Sequence, residues 1–326
     1  MSKTVLSEYS KLLLSIYRSA QELPVEEFQD AILNAIKPYL PFDSSMWGTA
    51  TMESTGIDIH SLHLHNTSMK MIEAYEKVKH LDTAAAKVTS QPRATIGFNT
   101  DTDFNDPELA DYRRFLKEHQ HNQFFITSDI NPITKFVHWV SLYRNDPNAV
   151  CTETETELLA YLAPHLMQAL AINRLVHLDK LTGDVAREIW CVAIVDVKGV
   201  IYHADKRFRE LVGTEWPALT KDNLPGSLIQ QLLGEDSTVA GKKVVIRRNL
   251  EHGLLFLKAR ERAPVDNLST REYIVAKLLA SGLSQKEVAS RLERSPETIR
   301  SQVKVIFTKL GIKSATLLPQ HLALRD

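Results

Sequence analysis

The residues with the clearest chemical potential lie between positions 296 and 310, near the C-terminal end of the chain. Apolar residues recur there at Ile299, Val303, Ile306 and Leu310, with the spacing of one helix face. The opposite face would carry hydrogen-bond donors and little negative charge: Thr298, Arg300, Ser301, Gln302, Lys304 and Lys309. A helix with such a face fits the major groove of DNA, where side-chain donors reach the base edges.

The positions on this face suggest separate tasks. Arg300 and Lys304 are one turn apart and can both reach base edges, whereas Thr298 and Lys309 are better placed for phosphates. Lys286, further upstream, can add a contact to the DNA backbone. The alternative is a helical bundle whose third helix merely has a solvated basic face.

Three closely spaced helix starts support the DNA-binding interpretation. Ser269 with Glu272, and Ser284 with Glu287, form the capping-box pattern, and Ser295 precedes Pro296 at a third start. Gly282 and Gly311 stand where left-handed C-caps are needed. The expected shared core is the following set: Ile274, Val275, Leu278, Leu279, Val288, Ala289, Leu292, Ile299, Val303, Ile306 and Leu310.

The same stretch resembles the tetrahelical DNA-binding domain of LuxR/FixJ-type bacterial regulators. The matching phrases are Leu268-Ser-Thr-Arg-Glu272, Leu279-Ala-Ser-Gly-Leu-Ser-Gln-Lys-Glu-Val-Ala289, Ser295-Pro-Glu-Thr-Ile-Arg300 and Lys309-Leu-Gly-Ile312. The resemblance implies that residues 296–310 are the recognition helix, with Arg300, Ser301 and Lys304 reading bases and Thr298, Gln302 and Lys309 near the backbone. It also implies that a short fourth helix, about Ser314 to Ala323, serves dimerisation.

Two departures from the family pattern affect base preference and one anchoring contact. Gln302 stands where histidine is common, and Ala315 where arginine is common.

Charge is distributed unevenly along the chain. Residues 264–326 contain ten Lys or Arg and six Asp or Glu, which gives +4, whereas residues 1–263 contain 29 basic and 34 acidic residues, which gives −5. A basic C-terminal module on an acidic remainder suits a polyanion-binding end.

The preceding residues predict α+β sensor domains, so the fold class is multidomain with an all-α helix-turn-helix domain at the end. Residues 1–180 resemble a GAF-type sensor: two helices, a hairpin with its turn at Ser54-Thr-Gly56, further helices and strands, and a long closing helix. Residues 185–260 resemble a small PAS-like domain, and residues 264–326 form the DNA-binding domain. Asp205 is expected to cap a helix over 206–212.

The long helix, predicted over 155–178, has two interpretations. A capping box at Thr154-Glu-Thr-Glu157 starts it, and Pro164 is expected to kink or break it. One interpretation makes its apolar residues a dimer seam, and the other makes them the core of the first domain. The seam residues are Leu159, Leu162, Leu166, Leu170, Asn173 and Val176.

A ligand pocket in the first domain would draw on aromatic and polar residues. The candidates are Trp47, Tyr75, Trp139, Tyr143 and Arg144, with plain core packing as the alternative for each. His63 and His65 lie on one face of a predicted strand, but no third ligand is placed by the sequence, so we expect no metal site.

Several classes of protein are excluded by missing patterns. The chain lacks the phosphorylatable receiver pattern, a phosphate-cradling glycine loop and a nucleophile elbow, so we expect neither an enzyme nor a bound cofactor. Without a signal peptide or an apolar run long enough to span a membrane, a cytoplasmic protein with reduced Cys151 and Cys191 is expected.

The sequence therefore predicts a one-component, homodimeric transcription regulator that binds double-stranded DNA. The first domain is expected to respond to a small-molecule effector, and RNA polymerase is a further partner to consider. The alternative is a ligand-independent regulator whose N-terminal domains are a protein-interaction platform.

Overall fold

The computed structural model describes residues 3–53, 56–130, 136–182 and 189–325. The chain divides into two compact units. The first comprises described residues within 1–183, 194–202 and 250–256, and the second comprises those within 184–193, 203–249 and 257–326. None of the described helices contains an apolar stretch of the length that a membrane span requires. Ser54 and Thr55 of the predicted hairpin turn, and residues 185–188 of the predicted second domain, lie outside the described residues.

The N-terminal part begins with two helices and continues into a five-stranded antiparallel sheet. The sheet order is β2-β1-β5-β4-β3. The elements are α1 (Lys3–Glu22), α2 (Val25–Ile36), β1 (Ser44–Glu53), β2 (Gly56–His65), α3 (Met69–Val78), α4 (Thr83–Ser90), β3 (Thr95–Asn99), α5 (Thr100–Asp103), α6 (Ala110–Glu118), β4 (Gln123–Ile130), β5 (Phe136–Arg144) and α7 (Glu153–Thr182).

The predicted helices and hairpin strands in this region are confirmed, whereas β3 and α4 were missed. Helix α4 contains Thr83-Ala-Ala-Ala86, a run with no strong apolar periodicity, and its start depends on Asp82, whose side chain accepts a hydrogen bond from the Ala85 N–H at 2.9 Å. A single N-cap of this kind satisfies one of the free donors at a helix start.

The two faces of the first sheet have separate apolar cores. On one face, Phe28 of α2 and Trp47 of β1 pack with buried leucines of α7. On the other face, Met71 of α3, Val88 of α4 and Phe115 of α6 pack with Phe124 of β4. Strand residues alternate between these cores because successive side chains point to opposite faces.

Helix α7 closes the first core, and this corrects two predictions. Its capping box uses Thr152 rather than Thr154: Thr152 and Glu155 exchange side-chain and backbone hydrogen bonds. The helix does not break at Pro164, and the predicted kink there stays a prediction. The leucines of the predicted seam are buried in the core of their own domain, so they are not available to a partner: Leu159, Leu162, Leu166 and Leu170.

Asn173, the polar residue of the same predicted seam, is also used internally. Its side-chain amide donates to the carbonyl oxygens of Ala20 at 3.2 Å and Leu23 at 2.9 Å. It therefore ties α7 to the end of α1.

A second five-stranded sheet follows in the chain, with the order β7-β6-β10-β9-β8. Numbered within each sheet, both sheets have the order 2-1-5-4-3. The elements are β6 (Cys191–Asp196), β7 (Ile201–Ala204), α8 (Lys206–Gly213), α9 (Gly226–Leu232), β8 (Thr238–Ala240), β9 (Val244–Glu251) and β10 (Leu254–Glu261). Asp205 is the N-cap residue of α8, as predicted, but its carboxylate accepts from the Val192 N–H at 3.0 Å and makes no bond to the helix start.

The C-terminal helices are α10 (Thr270–Ala280), α11 (Gln285–Arg291), α12 (Pro296–Leu310) and α13 (Leu318–Leu322). Both predicted capping boxes and the Ser295 cap are confirmed, and Gly282 and Gly311 have φ values of +93° and +69°. The predicted core is confirmed except at Ile274, which is 44 % exposed, and at Leu278 and Leu292, which are partly buried.

A buried ion pair joins β10 to the segment just before α10. The Arg260 guanidinium donates two 2.6 Å hydrogen bonds to the Asp266 carboxylate, and the two side chains are 2 % and 7 % exposed. The guanidinium also lies 4.9 Å from the Trp190 ring centroid. Although burial raises the pKa of Asp266, the hydrogen bonds from Arg260 hold it below its ordinary value.

Candidate DNA-binding surface and sensor cavity

Helix α12 presents the donor-rich face that the sequence predicts. Its start is fixed by Ser295, whose hydroxyl accepts from the Thr298 N–H at 3.1 Å. Four of its apolar residues are buried in the core of the C-terminal helices: Ile299, Val303, Ile306 and Leu310. Arg300, Ser301 and Lys304 are exposed, and Gln302 is half-buried. The helix therefore offers two cations and a hydroxyl on one accessible face.

Arg300 and Lys304 are available to a polyanion for different reasons. Arg300 forms an ion pair with Glu297, with the Arg300 Nη1 and Glu297 Oε2 atoms 3.3 Å apart, and about three-quarters of each side chain is exposed. Such surface pairs contribute about 0–1 kcal/mol, so DNA can displace Glu297 easily. Within the described part of the chain, the structure records no hydrogen bond or ion pair for the Lys304 ammonium.

Lys309 differs from these two because it already has partners. Its ammonium donates to both carboxylate oxygens of Glu272, at 2.9 and 2.6 Å, and to the carbonyl oxygen of Asn267 at 3.1 Å. The Lys309 hydrogen bonds lower the pKa of Glu272. Lys309 therefore ties the end of α12 to the start of α10, and the predicted phosphate contact would have to compete with this link.

Thr298 and Lys286 occupy the edges of the surface. The Thr298 hydroxyl lies 2.8 Å from the Ser295 hydroxyl at the start of α12, and both residues are exposed. Lys286 is exposed in the first turn of α11, next to the Ser284–Glu287 capping box. Both side chains can therefore reach solvent without disturbing the core.

Comparison with known proteins agrees with this geometry at the C-terminal end. Residues 266–321 match the model of the bacterial regulatory proteins of the luxR family. The C-terminal domain is a luxR-family helix-turn-helix domain. The nitrate/nitrite response regulator protein homolog of Haemophilus influenzae is 31 % identical over 96 residues, which are 29 % of this chain and 44 % of that protein. The chain thus matches less than half of that relative.

Solved structures similar to the chain are distant. SdiA of Escherichia coli is 11 % identical, with 97 % of each chain covered and a TM-score of 0.40. The N-acylhomoserine lactone dependent factor CepR2 of Burkholderia cenocepacia is 17 % identical over 49 % of this chain and 91 % of its own, with a TM-score of 0.39. A phycoerythrobilin-bound GAF domain of a cyanobacterial phytochrome is 13 % identical over 52 % of this chain and 97 % of its own, with a TM-score of 0.35. At these TM-scores, the likeness assigns neither a fold nor a ligand.

The first domain contains a cavity of about 80 Å³ on the face of the sheet covered by α3, α4 and α6. Of the residues predicted to face a ligand, Tyr75, Trp139 and Tyr143 line it. Its walls are otherwise mainly apolar, with contributions from Ile72, Val88, Phe115, Leu116, Phe124 and Val137.

Trp47 and Arg144 do not line this cavity. Trp47 is buried on the opposite face of the sheet, against Phe28. The Arg144 guanidinium donates to Glu155 and to the carbonyl oxygens of Pro41, Ala149 and Val150. Trp47 therefore packs in the core instead of facing a ligand. Arg144 instead anchors the start of α7 through Glu155.

Asp82 is a polar group of the cavity wall that no local sequence pattern singles out. One carboxylate oxygen caps α4, and the other accepts a 2.8 Å hydrogen bond from the Tyr75 hydroxyl. The neighbouring Tyr112 hydroxyl favours a lower pKa of the Asp82 carboxyl, but burial has the larger effect and raises it. A carboxylate with two phenolic neighbours can accept a hydrogen bond from a bound molecule.

His121 supplies a second polar group to the same wall. Its ring stacks on Tyr143 with the centroids 3.8 Å apart, and the residue is 2 % exposed. Burial lowers the pKa of His121 to about 3, so the imidazole is neutral at pH 7. Ser128 and Ser141 add hydroxyls to the lining. The cavity therefore combines an apolar body with a few polar groups.

Proposed function

We propose that this protein is a one-component transcription regulator that binds a specific double-stranded DNA site through α12. The observation that carries the proposal is the exposure of Arg300, Ser301 and Lys304 on a helix whose opposite face is buried in a luxR-family domain. Bidentate contacts of arginine to guanine are the commonest specific contacts in the major groove. The ion pair between Arg300 and Glu297 is exposed, so DNA can replace Glu297 at little energetic cost.

Binding to sites recovered from the source genome tests this proposal. Fluorescence anisotropy would compare the intact chain with Arg300→Ala, Lys304→Ala and the control Lys221→Ala, which removes an exposed cation outside the luxR-family domain. The two α12 variants should each weaken specific binding by about ten-fold to a hundred-fold, whereas the control should bind normally. Unchanged specific binding by both α12 variants would exclude this use of the helix.

We further propose that the first domain is GAF-like and binds a small organic molecule in the cavity beside Asp82, and that the second sheet belongs to a PAS-like domain. The ligand class is an apolar molecule with a hydrogen-bond donor that reaches the Asp82 carboxylate. The apolar lining and the partly buried polar group formed by Asp82, Tyr75 and Tyr112 support this class.

The cavity volume also favours a second candidate function. Pockets for drug-sized ligands usually measure about 300–1,000 Å³, so a cavity of about 80 Å³ requires a small ligand or side-chain movement. A first domain that binds a protein partner instead would need no larger cavity. Native mass spectrometry of the protein purified from its source distinguishes the two: a co-purified small molecule supports the ligand, and a stoichiometric protein partner supports the alternative.

A cavity-filling variant tests whether the small molecule binds in the cavity of the first domain. Ala85→Phe places a ring among the lining residues and should abolish retention of the small molecule. Met69→Phe, at an exposed position in the first turn of α3 outside the cavity lining, is the matched control and should retain it. If Ala85→Phe retained the molecule, another binding place would be indicated.

Dimerisation is part of the same proposal, but through surface residues rather than the predicted seam. Leu14 of α1 and Tyr161 of α7 are each about two-thirds exposed. The two helices pack together, with the Tyr9 hydroxyl donating to the Tyr161 carbonyl oxygen. Residues 158–173 of α7 contain no Asp, Glu, Lys or Arg, so a second copy of the chain can cover the α7 part of this face without burying such a charge.

A further inference from the structure

Two histidines and an aspartate meet where α2 packs on the edge strand β2. His63 Nε2 lies 3.0 Å from Asp30 Oδ1, and His65 Nδ1 lies 2.6 Å from the same oxygen. Asp30 is 33 and 35 residues away in the sequence, so only the packing of α2 on β2 brings it to the histidines. In the described part of the chain, three potential ligand atoms lie within 4.8 Å of one another in this group.

The local structure orients the donor atoms. His63 and His65 are two residues apart on β2, and their side chains therefore point to the same face. They stand opposite Trp47 and Ser45 of β1, on the face that packs against α2. The Phe42 ring packs edge-on to the His65 ring, with centroids 5.8 Å apart, which restricts movement of that imidazole.

The donor set has the chemistry of a metal site. Neutral imidazole nitrogens and a carboxylate oxygen bind zinc at about 2.0–2.2 Å, and three protein ligands with one water complete a tetrahedral site. Each side chain here offers one such atom, and small side-chain rotations can move the three atoms onto a common ion.

Solvent access is graded across the group. The Asp30 side chain is half exposed, and the His63 and His65 side chains are 19 % and 7 % exposed. An ion can therefore enter from the Asp30 side and remain partly shielded by the sheet.

We propose that Asp30, His63 and His65 bind a divalent first-row transition metal ion, and zinc is the probe we choose. When the ion binds, His63 Nε2 and His65 Nδ1 coordinate it as neutral imidazoles whose proton has moved to the other ring nitrogen, and water fills the fourth position. The bound ion links α2 to β2, the edge strand of the first sheet. This proposal does not depend on the proposed DNA or effector binding.

Zinc binding by the intact chain tests the proposal. The protein is stripped with a chelator, dialysed and titrated with zinc chloride, and bound zinc is counted by elemental analysis after gel filtration. One ion per chain should be retained, and zinc should raise the melting temperature because a ligand of the native state stabilises it. Failure to retain zinc, or no rise in melting temperature, would overturn the proposal.

Variants locate the ion. His63→Ala and Asp30→Asn should each lower zinc affinity at least ten-fold and remove the rise in melting temperature. His80→Ala, which removes an exposed histidine outside the group, should behave like the wild type. Circular dichroism of each metal-free variant checks that it is folded. If His63→Ala does not fold, Asp30→Asn still tests the site, because it keeps the shape of the side chain.

Cobalt substitution gives a second readout that does not depend on stability. Cobalt(II) bound by two nitrogens and an oxygen in a distorted tetrahedral site absorbs visible light, so the wild type should gain a visible band that Asp30→Asn and His63→Ala lose. Zinc or cobalt binding that both variants retain would place the ion elsewhere and overturn the assignment to these three residues.

Discussion

The Tyr75 hydroxyl donates a 2.8 Å hydrogen bond to Asp82, the residue that also caps helix α4. One carboxylate thus holds both a helix start and part of the cavity wall. Asp82→Ala should lower the free energy of unfolding by about 2–4 kcal/mol, because it removes the cap and leaves the partly buried Tyr75 hydroxyl without its acceptor. Urea unfolding measures this loss.

Asp106→Ala is the matched control for the Asp82 variant. Asp106 accepts from the Glu108 N–H at 2.9 Å but is exposed and has no tyrosine partner. Asp106→Ala should lower the free energy of unfolding by only about 1 kcal/mol. Equal losses in the two variants would mean that the Tyr75 bond adds nothing to stability.

The protein should lose stability in mild acid because the His121 side chain is buried. An unfolded histidine has a pKa near 6.5, whereas burial lowers the pKa of His121 to about 3 in the folded protein. Between pH 7 and pH 5 the unfolded state therefore takes up a proton that the folded state does not, which costs about 2 kcal/mol. The loss begins as the pH falls through 6.5 and continues to the folded pKa.

Urea unfolding at pH 7 and pH 5 measures the His121 effect. His121→Gln cannot titrate, so its free energy of unfolding should fall by about 2 kcal/mol less than that of the wild type over this interval. His80→Gln, at an exposed position, should follow the wild type. His138, whose pKa burial lowers to about 4, has the same sign and remains in all three proteins.

Lys309 and Lys286 should affect DNA binding differently although both were predicted to contact phosphates. Lys309→Met removes the link to Glu272 and should cost about 1 kcal/mol of stability, because the pair is only partly shielded from water. Lys286→Ala should leave stability unchanged and reduce the slope of log affinity against log salt concentration by about 1. Anisotropy titrations at several salt concentrations, below the melting temperature, measure both slopes. A reduced slope for Lys309→Met would show that Lys309 leaves Glu272 to bind phosphate.

The buried pair Arg260–Asp266 should be essential for stability. Asp266→Ala leaves the Arg260 guanidinium buried without its carboxylate and should cost about 3–5 kcal/mol. Arg93→Ala breaks the exposed pair with Asp129 and should cost less than about 1 kcal/mol. Calorimetric melting compares the two variants, and similar melting temperatures would contradict the importance of burial.

The proposed dimer face predicts a change of mass. Leu14→Glu and Tyr161→Glu place charges on the exposed face of α1 and α7 and should shift the protein to monomers, because an interface would have to bury those charges. Leu250→Glu, at another exposed leucine, should leave the mass unchanged. Light scattering after gel filtration gives the result, and dimers in both variants would place the interface elsewhere.

The sequence by itself determined the C-terminal helices and their exposed face. Capping boxes, left-handed glycines and helical periodicity all depend on residues within about four positions of one another, so Ser269, Ser284 and Gly311 could be interpreted without knowing the fold. The departure at Ile274 shows the limit of this approach: helical spacing marks it as apolar, but no neighbouring helix covers enough of it to bury it.

Only the tertiary structure decided the roles that depend on distant partners. The Arg144 guanidinium donates to Glu155 and Pro41 and does not face the cavity. Asp82 lies in the cavity wall beside Tyr112 and Tyr75. Lys309 forms a hydrogen bond with Glu272, which is 37 residues away in the sequence. Asp30 contacts His63, which is 33 residues away. Such contacts depend on which elements pack together, which no local pattern specifies, so the cavity, the ion pairs and the proposed metal site follow from the packing alone.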